Sequence, residues 1–191
     1  MIRIARAEDA AAIHAIYAPH VENGVATFEN VLPGIDAMRE RILARLPHYP
    51  WLVWEEAGAV LAYAYAGRFR ERAAYDWIAE TSIYVHPDAQ RRGIACRLYE
   101  TLLEAMRLQG LTQAVGVITL PGATSVAFHE SLGFAPAGVW RQCGWKLGQW
   151  WDVGVWQKEL QQPAKLPPPT VTPFAALATT PALHALLGRT A

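Results

Sequence analysis

Residues 80–106 read ETSIYVHPDAQRRGIACRLYETLLEAM, and this stretch decides the fold. Glu80 to Val85 close a β-rich run that His86-Pro87-Asp88 stops, and a helix begins inside the turn Gln90-Arg91-Arg92-Gly93-Ile94-Ala95. Ala95, Leu98, Leu102 and Met106 share one helix face, and Gly110 ends it. The first N–H groups of a helix lack internal partners and point outward with the positive end of the dipole. Such a turn holds a phosphate or pyrophosphate. Gly93 and the small Ala95 let the backbone approach an anion, and Arg91 and Arg92 add charge at the rim. Read alone, the same letters also fit a surface helix start with solvated arginines. They form neither a GxxxxGK[ST] loop nor a GxGxxG dinucleotide fingerprint.

Upstream, Ile2 to Ala5 reads as a short edge strand, and Glu8 and Asp9 open a helix with Ile13, Ile16 and Tyr17 on its apolar face. Asn23-Gly24 marks a turn, and a second helix is predicted from Ile35 to Leu46. Trp51–Glu55 and Val60–Ala66 flank Glu56-Ala57-Gly58 as an antiparallel hairpin, and Trp77 to Val85 is the strand that feeds the anion turn. Downstream, Ala114–Leu120 is β-rich, Thr124–Leu132 is a short helix closed by Gly133, and two strands follow, from Phe134 onward and over Trp150–Leu160. Composition then shifts to PAKLPPPTVTP, which resists helix and sheet. The predicted domain is therefore residues 1–160, with residues 161–191 a proline-rich tail whose segment Phe174–Leu187 either forms a weak amphipathic helix or stays mobile.

This order of elements resembles the GNAT acetyltransferase superfamily, whose Q/R-x-x-G-x-G/A turn for the coenzyme A pyrophosphate is matched by Gln90 to Ala95. The closer resemblance is to the phosphinothricin and methionine sulfoximine acetyltransferases. It is carried by PWLVWEE (50–56), AYAYAGRFRERAAYDW (62–77), ETSIYVHP (80–87), HESLGF (129–134) and GWKLGQWWDVGVWQKEL (144–160). The resemblance implies an α/β fold with a mixed, mostly antiparallel central sheet flanked by helices. It also implies acetyl-coenzyme A as co-substrate, no metal, a small-molecule amine as acceptor, and a homodimer.

Residue by residue, the resemblance places the pantetheine arm against the backbone of Ile83, Tyr84 and Val85, and the phosphates on Gln90, Arg91, Arg92, Gly93, Ile94, Ala95 and Cys96. Glu80 is the expected general base: a carboxylate within an apolar strand, whose partial burial would raise its pKa. The plain alternative is a carboxylate on a solvent-facing sheet. His129, on the short helix, is expected near the coenzyme sulfur as a proton donor or a partner in amine deprotonation. Related enzymes read Leu-Pro-Asn where this chain has Leu120-Pro121-Gly122, so Gly122 would meet the pantetheine without an asparagine side chain. Acceptor contacts are expected from Thr27, Phe28 and Glu29, from Arg70, Arg72 and Tyr75, and from Lys146; an arginine suits a carboxylate through paired hydrogen bonds. Of the eight tryptophans, Trp51, Trp54 and Trp156 read as core, whereas Trp77, Trp145 and Trp150 are placed to line the acceptor cleft.

Composition narrows the function classes. Among 191 residues, 52% are apolar and 18% charged, enough for a packed core. Seventeen basic residues balance seventeen acidic ones, which argues against nucleic acid as a partner. Apolar runs are too short to span a bilayer, and the N-terminal MIRIARAED carries charges where a leader needs an apolar run. Cys96 and Cys143 form no CxxC pair, so a cytoplasmic location without metal or disulfide is expected. Two rival readings remain at this level: a GNAT enzyme for peptide N-termini or polyamines, and a silent coenzyme-A-binding module.

Overall fold

A computed structural model describes residues 1–163 and 166–188. Seven strands form one sheet in the order β1-β2-β3-β4-β5-β7-β6. They are β1 (Ile2–Ile4), β2 (Trp51–Glu56), β3 (Ala59–Arg68), β4 (Ile78–Val85), β5 (Gln113–Thr119), β6 (Ala135–Lys146) and β7 (Gln149–Glu159). Every neighbouring pair is antiparallel except β4 and β5. That parallel pair needs a crossover, which α3 (Ile94–Gln109) supplies.

Period-two alternation sorts the side chains onto two faces. On one face Ala62, Ala64, Ala66, Ala79, Ala114 and Ile118 pack with Leu98, Tyr99, Leu102 and Met106 of α3. The small residues on β3 let the helix lie close to the sheet. On the other face Trp51, Val53, Tyr63 and Tyr84 pack against α1 (Ala10–Glu22) and α2 (Ile35–Arg45) through Ile13, Ile16, Tyr17, Met38 and Ile42. The short α4 (Ala123–Ser131) lies on the α3 face, where its His129 ring covers Gly116 of β5.

α3 begins at Ile94, near the end of the turn in which the sequence reading placed its start. Arg91 and Gly93 both have positive φ, 58° and 78°, so regular helix can start only at Ile94. The tail folds back. α5 (Phe174–Leu177) and α6 (Pro181–Gly188) bury Phe174, Leu177 and Leu183 against Ala105 of α3. Each such burial is worth about 1.5–3 kcal/mol before entropy is counted. Two helices replace the single predicted one because Pro181 has no N–H to continue a helix, although it suits a first turn. Trp77 Nε1–H donates to Pro169 O at 2.8 Å, and Gln109 Nε2 donates to His48 O at 2.9 Å and Thr172 O at 2.8 Å, tying the returning segment to the body.

Candidate active site

β4 and β5 pair only from Ile78↔Gln113 to Thr81↔Gly116. Beyond that point β4 stays with β3 and β5 stays with β7, so the sheet opens as a wedge whose apex is Glu80-Thr81. His86 N–H donates to Leu61 O on the β3 side at 2.8 Å. By alternation, the N–H and C=O groups of Ile83 and Val85 therefore face away from β3, into the wedge. An extended chain laid there would find a ladder of donors and acceptors.

The wedge leads to the N-terminus of α3. Among the described residues the N–H groups of Ile94, Ala95 and Cys96 have no acceptor, and a Cβ built on Gly93 would meet nothing within 4 Å. Three sequential N–H groups facing open space beside a sixteen-residue helix dipole suit a pyrophosphate. Arg91 stays exposed at the rim, but Arg92 turns to the β2–β3 hairpin, where Nη2 meets Glu56 Oε1 at 2.8 Å. Gly122 caps α4 with a φ of 39°, and a Cβ there would run into Thr119 O and Ile118 Cγ2. This backbone has no room for the asparagine of related chains.

Glu80 is half-buried at the apex, on the α1/α2 face. Burial pushes its carboxyl above the ordinary glutamate range, and Arg70 and, to a lesser degree, Arg45 pull it partly back. Its cross-strand partner is Gly67, and a Cβ at Gly67 would stand 2.5 Å from Arg45 Nη1. Glu80 thus lies in a groove flanked by two arginines, one from the loop after β3 and one from the end of α2. Arg70 stacks on Phe69 at 4.4 Å and reaches towards Trp140 of β6 at 5.9 Å. Tyr75 is exposed and meets Phe69 edge-on at 5.9 Å, and Arg72 is exposed in the same loop. A cavity of about 780 Å³ lies beside Gly67, walled by Arg41, Arg45, Arg68, Trp77 and residues 170–173 of the tail.

His129 occupies the other face of the same strands. Its Nδ1 is 2.8 Å from Ser125 O and its Nε2 is 3.1 Å from Tyr99 Oη, which in turn lies 2.6 Å from Thr81 Oγ1. A carbonyl only accepts, so Nδ1 carries the hydrogen; Thr81 Oγ1–H donates to Val115 O at 3.0 Å, so the single Tyr99 hydroxyl hydrogen serves both Thr81 Oγ1 and the Nε2 lone pair of the neutral ring. Burial lowers the His129 pKa, which keeps the ring neutral, although the Ser125 bond opposes the shift. The chain Thr81–Tyr99–His129 ends at the wedge apex. Tyr99 was absent from the sequence reading; its only signal there was a hydroxyl tip within the apolar stripe of α3.

The other expected acceptor contacts are engaged within the chain. Lys146 is 2% exposed, and its Nζ donates to Thr27 O at 2.8 Å and His20 O at 3.1 Å. It pins the α1–α2 loop to the β6–β7 hairpin instead of presenting an open charge, and burial lowers its pKa. Phe28 packs its ring on Gly144 of β6, where any Cβ would collide with it. Glu29 is engaged by Arg41, with Oε1 at 2.6 Å from Nη1. Thr27 Oγ1 is 2.7 Å from Tyr17 Oη. These residues shape the groove's rim. Trp51, Trp54 and Trp156 are buried, while Trp145 and Trp150 are exposed and meet edge-to-face at 5.4 Å. No group of three or more metal-ligating side chains occurs among the described residues. No helix there is long and apolar enough to cross a membrane.

A family model described as an acetyltransferase (GNAT) domain matches residues 2–155. Phosphinothricin N-acetyltransferase of Streptomyces viridochromogenes is 42% identical over 180 residues, covering 92% of this chain and 95% of that protein. L-methionine sulfoximine/L-methionine sulfone acetyltransferase of Salmonella typhimurium is 35% identical over 164 residues, covering 85% and 96%. Among solved structures, a GNAT superfamily phosphinothricin acetyltransferase from Sinorhizobium meliloti in complex with AcCoA superposes with a TM-score of 0.82 at 35% identity, covering 91% of this chain and 96% of that one.

Proposed function

Because this chain belongs to the GNAT acetyltransferase family, we propose that it moves the acetyl group of acetyl-coenzyme A to the amine of a small amino-acid acceptor such as phosphinothricin or methionine sulfoximine. The observation that carries this reading is Glu80: a half-buried carboxylate at the apex of the wedge, flanked by Arg70 and Arg45. A primary amine is protonated near neutral pH, and ammonium has no lone pair. Glu80 accepts that proton, directly or through water, and its raised pKa brings it nearer the amine's own. Arg70 is the partner for the acceptor's α-carboxylate, which fixes the amine over Glu80.

On the opposite face, the free N–H groups of β4 hold the acetyl arm and the first turn of α3 holds the phosphates. The chain Thr81–Tyr99–His129 keeps an exchangeable proton beside the point where the thiolate of coenzyme A leaves. The nitrogen gives up two protons on becoming an amide: Glu80 takes the first before attack and passes it to solvent, the second leaves as the tetrahedral intermediate collapses, and the Thr81–Tyr99–His129 chain gives one to the thiolate and regains it, so that one proton is released overall.

Three further readings accompany the first. Acetylation would disarm a toxic glutamate analogue and so confer resistance. The exposed free thiols of Cys96 and Cys143 fit a reducing cytoplasm. The outer edge strand β6, with Val139, Trp140 and Trp145 exposed, is the face for a second copy of this chain, which light scattering on an eluting peak would register as a doubled mass. The central test is a thiol-release assay across phosphinothricin, methionine sulfoximine, methionine sulfone, polyamines and a peptide. Turnover is expected on the amino acids. Turnover confined to polyamines or the peptide, or none on any amine, overturns the reading.

A further inference from the structure

A second, smaller cavity of about 210 Å³ lies on the Glu80 face under α1 and α2, between Tyr17, Arg45, Trp51, Tyr63 and Tyr65. Two of its lining groups are unsatisfied. Trp51 is 2% exposed, and its indole Nε1–H has no hydrogen-bond partner among the described residues. A buried N–H left unpaired is costly, so such a group in a cavity wall marks a place where something binds. Arg45 stacks over Tyr65 at 4.6 Å and over Trp51 at 5.8 Å, yet no carboxylate lies within ion-pair distance of it among the described residues. Its neighbours differ: Arg41 is matched by Glu29, and Arg68 by Asp76. The one carboxylate lining the cavity, Glu29, is therefore already neutralised. What remains is a cation without an ion pair, which feels Glu80 only through the field between them, and one free donor, the pair that an oxyanion needs.

Position links this pocket to the reaction. Arg45 stands over Gly67, which is directly opposite Glu80 across β3 and β4. Cross-strand neighbours of this kind are about 5 Å apart at Cβ. An amino acid whose amine meets Glu80 thus extends its side chain over Gly67 towards Arg45. The larger cavity shares Arg41 and Arg45 in its lining, so the two spaces adjoin the same two side chains.

We propose that the Arg45–Trp51 cavity is the subsite for an oxyanion on the acceptor's side chain, so the preferred acceptor is an amino acid bearing a phosphinate, phosphonate or second carboxylate. This inference rests on the acetyl-transfer reading and adds two specificity-determining residues to it. Arg70 holds the α-carboxylate on the open side of the groove; Arg45 and Trp51 grip the far end.

The test compares kcat/KM for phosphinothricin and for methionine, which has no side-chain oxyanion, by thiol release. Arg45→Met keeps an apolar stem on the Tyr65 ring and removes the charge. It should lose about thirtyfold or more on phosphinothricin, mostly in KM, and roughly threefold or less on methionine. Trp51→Phe should lose about tenfold with the same preference. If Arg45→Met does not fold, Arg45→Lys, which keeps charge without the fork, should fall between the two. Equal losses on both acceptors in every folded variant overturn the subsite. A wild type that acetylates methionine in preference to phosphinothricin overturns the subsite and leaves acetyl transfer standing. One that acetylates no amino acid overturns both.

Discussion

Replacing Glu80 by glutamine keeps the size and hydrogen-bonding shape of the side chain and removes its basicity. Loss of a positioned base costs about 10²–10⁴ in rate, equivalent to roughly 3–5 kcal/mol of barrier. Glu80→Gln should therefore lower kcat at neutral pH by about a hundredfold or more, with acetyl-coenzyme A affinity little changed, since the phosphates bind around α3 on the other face. Raising the pH supplies free amine without help, so the variant should recover part of the lost rate. The wild-type acid limb should lie above the ordinary glutamate range, because burial raises this carboxyl. Stability should move the opposite way. A carboxylate with a raised folded pKa destabilises the fold above the pH at which the unfolded chain's glutamate ionises, and not below it. The variant's Tm should then exceed the wild type's at pH 7, with the gap closing as pH falls towards about 4. Pre-steady-state thiol release and calorimetry read the first part, and thermal unfolding across pH reads the second. Near-normal kcat at pH 7 with an unchanged Tm would refute the argument, and the base would have to be sought at the His129 chain.

Gly93→Val forces a β-branched residue to positive φ beside the phosphate turn and should weaken acetyl-coenzyme A binding about tenfold or more by calorimetry; unchanged affinity would remove the phosphates from this turn. Gly122→Asn restores the side chain of related enzymes but drives its Cβ into Thr119 O, so thermal unfolding should report a loss of about 1–3 kcal/mol with no gain in cofactor affinity. Lys146→Met removes the pin on the α1–α2 loop; it should lower Tm and raise KM for every acceptor alike, whereas a loss confined to one acceptor class would return Lys146 to direct substrate contact.

The succession of elements and the glycine turn before α3 were legible because both rest on local chemistry. Strand, Pro-Asp stop, paired arginines, glycine and amphipathic helix occupy consecutive positions from Glu80 to Met106. Glu80 stood out for the same reason, as a charge in an apolar run. What the sequence hid depends on pairing across long separations. Arg92 meets Glu56 thirty-six positions away, and Lys146 reaches Thr27 across 119. No periodicity reports such partners, so both residues read as open charges. Arg45 is the converse: its helix looks like a polar surface helix, and only the fold places it over Gly67. The tail read as one weak helix or a mobile segment because each of its two helices is too brief for a clear helical stripe, and their apolar side chains pack against α3.

The placement of Glu80 and His129 on opposite sides of one layer of backbone gives the two reactants separate doors. On the proposed reading the nucleotide-bearing thiol would arrive and leave past α3 and the amino acid under α1 and α2, so neither product would obstruct the exit of the other. An inhibitor that joined coenzyme and amino acid in one molecule would then have to pass its linker through the opening where β4 and β5 part, beyond Thr81 and Gly116.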